Sequence, residues 1–221
     1  MTELSLSIDG PTASGKSTLA TALARELGLA FLDTGLTYRS LAFALDHESA
    51  GTLAADLGSL LVHRPEVYAR DGRGVPLQRH VILFRGQDIT DRIHHASLDG
   101  NLRAVAQNPA CRAAILELHR SIAEKHQKIV AVGRDVATSL LTGASLHVYL
   151  TASESVRGER RRAQYRNNPD RSIKVGPATA LDLENRDAIR ALPNSLDLDS
   201  TYLPVDAVRR ATLRELGKYA A

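Results

Sequence analysis

Residues 10–17 have the composition and spacing of a loop that wraps around phosphate groups. They read Gly-Pro-Thr-Ala-Ser-Gly-Lys-Ser and fit the pattern G-x-x-x-x-G-K-[ST]. Two glycines let the backbone turn so that successive N–H groups point inward, and a helix that starts there adds the positive end of its dipole. Lys16 could then reach the β- and γ-phosphates of a nucleoside triphosphate, while the Ser17 hydroxyl coordinates Mg²⁺. The candidate phosphate-binding residues are Gly10, Pro11, Thr12, Ala13, Ser14, Gly15, Lys16, Ser17 and Thr18.

The sequence on both sides of this loop fits that interpretation. Residues 4–8 alternate apolar and small polar side chains, as a strand does. After the loop, apolar residues recur at helical spacing as far as Leu27, and Gly28 follows as a helix stop. The alternative is a glycine-rich turn with an incidental lysine, which does not account for these flanks.

Short apolar runs alternate with helical patterns along most of the chain. This alternation predicts an α/β fold in which helices wrap a parallel five-stranded sheet. Ligands of such sheets bind beyond the carboxyl ends of the strands, so polar residues at those ends are candidates for a site. The predicted core strands are residues 4–8, 30–32, 128–132, 145–150 and 196–198.

Residues 62–93 interrupt this alternation with turn-punctuated β sequence. Pro65 and the Asp-Gly-Arg-Gly turn at residues 71–74 separate short apolar runs. The alternative, a disordered loop, would leave four consecutive apolar residues at 81–84 in water. We therefore expect a small antiparallel β insertion. Two helices should follow it, at residues 96–107 and 110–125.

The composition is that of a folded protein without disulfides. Apolar residues make up 43% and charged residues 24%, which is ordinary for a globular protein. The length of 221 residues is enough for one α/β core with an inserted subdomain or for two small domains, and we favour the first. The single cysteine, Cys111, leaves no disulfide framework or thiolate metal cluster, and we interpret it as a small buried hydrophobe. We expect no signal peptide and no membrane span, because residues 1–4 (Met-Thr-Glu-Leu) lack a basic region followed by a long apolar one and no run approaches roughly 18 apolar residues. We expect a cytoplasmic monomer without a membrane partner.

Three further groups of residues could bind an anion or a polar base. Thr34 and Arg39 follow the predicted strand at 30–32 and offer a hydroxyl donor and a bidentate guanidinium. Arg134 and Asp135 follow another predicted strand, at the ligand edge of the sheet. Arg112 lies on a predicted helix. The alternatives are a solvated helix face for Arg39 and Arg112, and a surface ion pair for Arg134 and Asp135.

A basic run occupies the later part of the chain. Residues 167–170 (Asn-Asn-Pro-Asp) break one helical segment, and the next helix should start near Thr179. Two helices joined by a basic link suggest a mobile lid that closes arginines over transferring phosphates. A nucleic-acid-binding patch is the alternative, which interleaved acidic residues and the lack of Trp disfavour. The run comprises Arg157, Arg160, Arg161, Arg162, Arg166 and Arg171, with Asp187 and Arg190 after it.

Taken together, these segments resemble the bacterial cytidylate kinases, which have the nucleoside monophosphate kinase fold. The resemblance spans nearly the whole chain. It implies a core of residues 1–35, 126–155 and 191–221, an acceptor-binding region at 36–125 that carries the β insertion, and a helical lid at 156–190. The matching segments are Ile8-Asp9-Gly10-Pro11, Ser14-Gly15-Lys16-Ser17-Thr18, Leu32-Asp33-Thr34-Gly35, Tyr38-Arg39, Gly86-Gln87-Asp88-Ile89-Thr90, Gly133-Arg134-Asp135, Leu150-Thr151-Ala152-Ser153 and Leu198-Asp199-Ser200-Thr201.

The same resemblance implies which residues hold a nucleoside monophosphate. The arginines would serve mainly its phosphate, Asp187 the ribose, and Arg112 with Asp135 the base. Cytosine has an amino donor at N4 and acceptors at N3 and O2, so a carboxylate and a guanidinium are complementary to it. The implied substrate-binding residues are Thr34, Arg39, Arg112, Arg134, Asp135, Asp187 and Arg190.

The chain departs from the family pattern on the acceptor side. Arg103 stands where a serine is usual, and Leu183 replaces an arginine. The segment between Arg190 and Asp199 is shorter than usual. Residues 136–138 (Val-Ala-Thr) stand where a glycine-threonine pair is common. None of these departures touches the phosphate-binding loop.

These features predict transfer of a phosphoryl group from ATP·Mg²⁺ to CMP or dCMP. Lys16, Arg134, Arg157 and Arg161 would be the catalytic residues, and Ser17 would hold the metal ion. One alternative keeps the chemistry but changes the acceptor to another or a modified pyrimidine monophosphate. A small alcohol acceptor would instead require a base such as Asp33 or Asp135. A non-catalytic nucleotide sensor or a nucleic-acid-binding P-loop protein is the remaining alternative.

Overall fold

A computed structural model describes residues 4–70, 74–168, 170–171 and 175–219. The predicted turn residues Asp71, Gly72 and Arg73, and Pro169 of the predicted helix break, lie outside the described residues. The strands are β1 (Leu4–Asp9), β2 (Ala30–Asp33), β3 (Leu61–Arg64), β4 (Glu66–Tyr68), β5 (Pro76–Gln78), β6 (Val81–Phe84), β7 (Gln87–Asp88), β8 (Lys128–Gly133), β9 (Leu146–Thr151) and β10 (Ser195–Asp199). The α-helices are α1 (Lys16–Leu27), α2 (Thr34–Ala44), α3 (Ala50–Leu60), α4 (Asp99–Gln107), α5 (Pro109–Glu124), α6 (Glu154–Gln164), α7 (Ala180–Arg190) and α8 (Val205–Leu216).

The central sheet contains the predicted five parallel strands, in the order β10-β9-β1-β8-β2. β1 is the middle strand, and its residues Leu6 and Ile8 are fully buried. Leu19 and Leu23 of α1 pack in the same apolar cluster. Strands with helices on both faces are buried throughout, which explains the nearly continuous apolar runs in β8 and β9.

The predicted β insertion divides between two sheets. β3, β6 and β7 form a separate three-stranded antiparallel sheet. β4 instead pairs antiparallel with β2 at the edge of the central sheet, and β5 pairs with β4. The central sheet therefore has seven strands where five were predicted. Strands of three residues have no periodicity that could have assigned them to either sheet.

A second apolar cluster lies in the segment of the chain that connects β2 to β8. It joins α2, α3 and α5 to the small sheet through residues such as Leu41, Leu53, Ile82 and Ile115. Cys111 belongs to this cluster and is buried, as predicted.

The helix ends follow local sequence signals. α5 starts at a proline, and the Asn108 side chain accepts hydrogen bonds from the N–H groups of Ala110 and Cys111. α4 starts at Asp99, three residues later than predicted, because two short 3₁₀ turns precede it. α7 starts after a Thr179 cap, as predicted. Within the described ranges, no helix is both long and apolar enough to span a membrane.

Replacing Gly10 with alanine should destabilise the fold. Gly10 has a φ of +141°, and an added Cβ would lie 2.1 Å from the Leu150 carbonyl oxygen of β9. We expect Gly10→Ala to lower the free energy of unfolding by about 3 kcal/mol in a denaturant titration. Gly100→Ala is the control, because that exposed helical position has no atom within 4 Å of the added methyl. An equal loss in both variants would contradict this account of the Gly10 backbone.

Candidate active site

The phosphate-binding loop connects β1 to α1 with three residues in left-handed backbone conformations. Gly10 and Gly15 have φ values of +141° and +103°, which glycine adopts without strain. Ala13, between them, has a φ of +63°, which is uncommon for a residue with a side chain. The Ser14 hydroxyl is buried without a hydrogen-bond partner among the described residues. A loop with strained backbone and an unpaired buried hydroxyl is suited to closing around a ligand.

Lys16 lies against the carbonyl side of this loop. Its Nζ donates to the carbonyl oxygens of Gly10 and Pro11, both at 2.7 Å. Desolvation lowers the pKa of Lys16 to about 8, and the nearby carboxylate of Asp33 acts in the opposite direction. The ammonium lies at the start of α1. An incoming phosphate group could replace the two carbonyl oxygens as the hydrogen-bond partner of Lys16.

Ser17 and Asp33 provide two adjacent oxygen atoms beside Lys16. The Ser17 hydroxyl donates to the Asp33 carboxylate at 2.9 Å. Asp33 also caps α2 by accepting from the Gly35 N–H, and burial raises the pKa of its carboxyl group. A hydroxyl and a carboxylate are oxygen ligands of the kind that Mg²⁺ prefers. In nucleotide sites Mg²⁺ takes few ligands from the protein, and phosphate oxygens and water supply the others. Across the described ranges there is no cluster of three acidic, histidine or cysteine residues that would suit a metal held by protein alone.

A groove of about 530 Å³ runs from the loop along α1 and α6. One wall is apolar, with Leu203, Pro204, Val205 and Val208 in or near the start of α8. Arg161, on α6, also lines the groove. The groove combines a phosphate-binding end with an apolar slot, which suits a nucleoside triphosphate. We call it the donor groove.

The two predicted lid arginines of α6 have different surroundings. Arg157 is buried, and its three nitrogens donate to the carbonyl oxygens of Ala152, Thr12 and Gly176 at 2.9–3.1 Å. Arg161 instead lines the donor groove, packs over the Tyr165 ring and donates to its hydroxyl. In this conformation Arg157 braces the phosphate-binding loop, whereas Arg161 faces the site.

Sequence reasoning named Arg160 in the basic run but gave it no role. Its guanidinium donates to the Ser14 carbonyl oxygen at 3.0 Å and to both oxygens of Ser200. It therefore ties the phosphate-binding loop to the end of β10. Neighbouring arginines in one helix look alike in sequence, and only the faces of α6 distinguish them.

A second pocket, of about 130 Å³, opens between α2, α5 and a short π-helical turn at Val136–Leu140. We call it the acceptor pocket. The structure brings three of the predicted substrate residues into it, namely Thr34, Arg112 and Asp135. Arg112 and Asp135 form an ion pair with a nitrogen-to-oxygen distance of 3.2 Å.

Three further polar residues line the pocket that were not predicted as site residues. Tyr38 lies one turn after Thr34 on α2, which is the helical spacing that could have indicated it. His119 is buried and its Nε2 shares a 2.7 Å hydrogen bond with the Thr37 hydroxyl, while Ser139 comes from the π-helical turn. His119 lies two helical turns after Arg112 on α5, and Ser139 lies four residues after Asp135, so spacing from the predicted residues could have indicated both.

Arg39 and Arg134 extend the positive charge around the two sites. One Arg39 terminal nitrogen is buried without a partner among the described residues, so it is available to an anion. Arg134 donates to the Thr12 hydroxyl of the phosphate-binding loop at 3.1 Å and lies 3.8 Å from the Asp182 carboxylate. Arg134 therefore connects the end of β8 with the phosphate-binding loop.

Asp187 and Arg190 do not join the acceptor pocket in this conformation. The Arg190 guanidinium forms an ion pair with Asp197 of β10, which also binds Arg186. The Asp187 side chain is 80% exposed. The assignment of both residues to the acceptor stays a prediction. Of the two substituted positions, Arg103 is exposed on α4, and Leu183 is about half exposed on α7.

The fold and the two neighbouring sites define a P-loop nucleotide-binding protein with room for a second ligand. The family model described as cytidylate kinase matches residues 6–203. The chain therefore belongs to the cytidylate kinase family, as the sequence resemblance indicated.

Three relatives are similar along almost their full lengths. The cytidylate kinase of Stutzerimonas stutzeri is 34% identical over 224 residues, covering 96% of this chain and 94% of the relative. That of Herpetosiphon aurantiacus is 36% identical, covering 94% and 86%. That of Bdellovibrio bacteriovorus is 34% identical, covering 92% and 93%.

Lysine substitutions should separate the two arginines of α6. Arg157→Lys replaces three donors to backbone carbonyls with one ammonium, so we expect a loss of about 2–3 kcal/mol in the free energy of unfolding. Arg161→Lys should change it by less than about 1 kcal/mol, because the Arg161 side chain faces the donor groove. Thermal unfolding of both variants is the measurement. Equal stability of the two variants would contradict a bracing role for Arg157.

Proposed function

We propose that this protein transfers the γ-phosphoryl group of ATP to CMP or dCMP, giving ADP and the nucleoside diphosphate. ATP occupies the donor groove with its phosphates at residues 10–17. The pyrimidine monophosphate occupies the acceptor pocket. The observation that carries the proposal is the Arg112–Asp135 ion pair, which lines a small pocket beside the phosphate-binding loop.

The acceptor pocket is chemically suited to cytosine. The Asp135 carboxylate accepts from the N4 amino group, and Arg112 donates to N3 and O2. Uracil has an N3–H donor and an O4 carbonyl in these places, so it would set an acceptor against the carboxylate and a donor against the guanidinium. The apolar side chains of Ile115, Leu116 and Leu140 provide the remaining surface for the ring.

The reaction requires neutralisation of charge more than a general base. The acceptor phosphate has a second pKa of about 6, so its attacking oxygen is already ionised near neutral pH. The barrier lies in bringing two anions into line without water. Lys16 neutralises the transferred group, Arg134 spans both phosphates, Arg39 holds the acceptor phosphate, and Arg161 closes over the donor.

Magnesium fits the Ser17 hydroxyl, beside which the Asp33 carboxylate lies. Bound there with ATP, Mg²⁺ would neutralise charge on the phosphate oxygens. Asp33 then acts by orienting the Ser17 hydroxyl, with which it already shares a hydrogen bond.

The three predicted parts of the chain have separate tasks in this proposal. The core (1–35, 126–155 and 191–221) holds ATP, and residues 36–125 hold the acceptor. Residues 156–190 act as a lid, and Arg157 anchors the lid to the core. Asp187 and Arg190 reach the acceptor when the lid closes further. One chain contains all these groups, so we propose that the monomer is active.

An alcohol acceptor would need a carboxylate within hydrogen-bond reach of its hydroxyl as general base. Asp33 binds Ser17 and caps α2, while Asp135 binds Arg112. No observation in the described part of the chain favours that alternative.

An ADP-release assay with several acceptors tests the proposal. CMP and dCMP should be phosphorylated with kcat/KM at least about a hundredfold above UMP, AMP and shikimate, because the other acceptors leave Arg112 or Asp135 unpaired. A preference for UMP or AMP would contradict the assignment of CMP or dCMP as the acceptor. Slow turnover that no monophosphate stimulates would contradict the kinase assignment.

Lys16→Met tests the donor side. We expect kcat to fall by about 10³-fold or more while thermal unfolding shows an intact fold, because the methionine keeps the length of the side chain and loses its charge. Lys128→Met, at the exposed start of β8, is the control. Turnover close to wild type in Lys16→Met would contradict the mechanism.

A further inference from the structure

Asp9 is a fully buried carboxylate at the junction between β1 and the phosphate-binding loop. It is the last residue of β1 and has no exposed surface. One carboxylate oxygen accepts from the Val136 N–H at 2.7 Å, and the other accepts from the Ala137 N–H at 3.0 Å. Both hydrogen bonds link residues that are more than 120 positions apart in the sequence.

The two N–H groups belong to the start of the π-helical turn at Val136–Leu140. The first N–H groups of any helical turn have no partner within the turn, and a negative charge there is favourable. The Asp9 carboxylate meets both requirements. Short π-helical turns are rare and often occur at functional sites.

This turn forms one wall of the acceptor pocket. Val136, Ser139 and Leu140 line the pocket, and Asp135 immediately precedes the turn. The position of the turn therefore sets where the Asp135 carboxylate stands. The family departure at residues 136–138 leaves this attachment intact, because Asp9 binds backbone N–H groups and not side chains.

The residue after Asp9 begins the phosphate-binding loop, but that loop has additional supports. Lys16 binds the Gly10 carbonyl, Arg157 binds that of Thr12, and Arg160 binds that of Ser14. Losing the Asp9 carboxylate should therefore disturb the π-helical turn, which we call the acceptor turn, more than the phosphate-binding loop.

We propose that Asp9 is a positioning residue that holds the acceptor turn, and with it Asp135, at a fixed place relative to the phosphate-binding loop. This inference rests on the proposed function. Asp9 does not touch either substrate and acts through the backbone of residues 136 and 137.

The charge on Asp9 is sensitive to pH in a useful range. Burial raises the pKa of Asp9 to about 6, although the N–H groups of Val136 and Ala137 lower it. The charged groups that face it are Asp135, which raises this pKa, and Lys16, which lowers it. Tyr149, its neighbour across β9, also lies within electrostatic range. Protonation below about pH 6 turns one acceptor oxygen into a donor and weakens the hold on the turn.

Two binding measurements on Asp9→Asn test the proposal. The dissociation constant for CMP should rise by at least about tenfold at about pH 8, because the amide offers one acceptor and sets its NH₂ against the second N–H. That for a non-hydrolysable ATP analogue should change by less than about threefold. Ser7→Ala is the matched control. It removes a buried hydrogen bond, to His147, from the same face of β1 without touching the acceptor turn, and should leave both constants unchanged.

The ratio of the CMP dissociation constants, variant over wild type, should fall towards one between about pH 8 and pH 5. Wild type loses its carboxylate over that range and the asparagine does not titrate, while ionisation of CMP itself cancels in the ratio. A ratio independent of pH, an equal effect on both ligands, or the same effect in Ser7→Ala would overturn the inference. Failure of wild type to bind CMP would overturn the proposed function as well. Tight binding of CMP by both wild type and Asp9→Asn would overturn the inference alone.

Amide hydrogen exchange of the wild type tests the same claim without a variant. Protection factors of the Val136 and Ala137 N–H groups should fall by about tenfold or more between about pH 7.5 and pH 5. Those of Val130 and Val132 in β8 should stay constant. Constant protection of Val136 and Ala137 would overturn the inference.

Discussion

The parallel pairing of β1 with β8 is the constraint on which both sites depend. In this register Asp9 lies beside Gly133, so the phosphate-binding loop and the Arg134–Asp135 segment leave the sheet at the same level. In the same arrangement, Gly133 lies in close contact with its neighbours. A Cβ on Gly133 would lie 2.6 Å from the Thr34 hydroxyl oxygen and 2.7 Å from a Val136 methyl group. A shift of one residue between these strands would separate the phosphate-binding loop from the residues of the acceptor pocket.

The cations around the phosphate-binding loop are held largely by backbone carbonyls. A loop that turns its N–H groups towards a ligand turns carbonyl oxygens outward, and these need donors of their own. Lys16, Arg157 and Arg160 supply them. Arg157 and Arg160 are therefore required by the shape of the loop, whereas Lys16 can exchange its carbonyl partners for phosphate. Under the proposed function, this difference would distinguish the cations that support the loop from the one that binds phosphate.

The sequence was sufficient to predict features that are local in the chain. The loop at residues 10–17, the five parallel strands and the start of α7 after Thr179 each depend on neighbouring residues, and all are present in the structure. Contacts between distant elements could not be predicted in the same way. The three-residue strands β4 and β5 have no periodicity, and the attachment of Asp9 to Val136 crosses most of the chain. The positions of Asp187 and Arg190 depend on how α7 packs, which the family resemblance alone does not determine.

The central claim is that the acceptor pocket reads cytosine through Arg112 and Asp135. A crystal structure of the protein with CMP and ADP bound tests it most directly. The account predicts the base between these two side chains, with N4 within hydrogen-bond distance of the Asp135 carboxylate and the CMP phosphate near Arg39 and Arg134. A base bound elsewhere, with the Arg112–Asp135 ion pair unchanged, would contradict it.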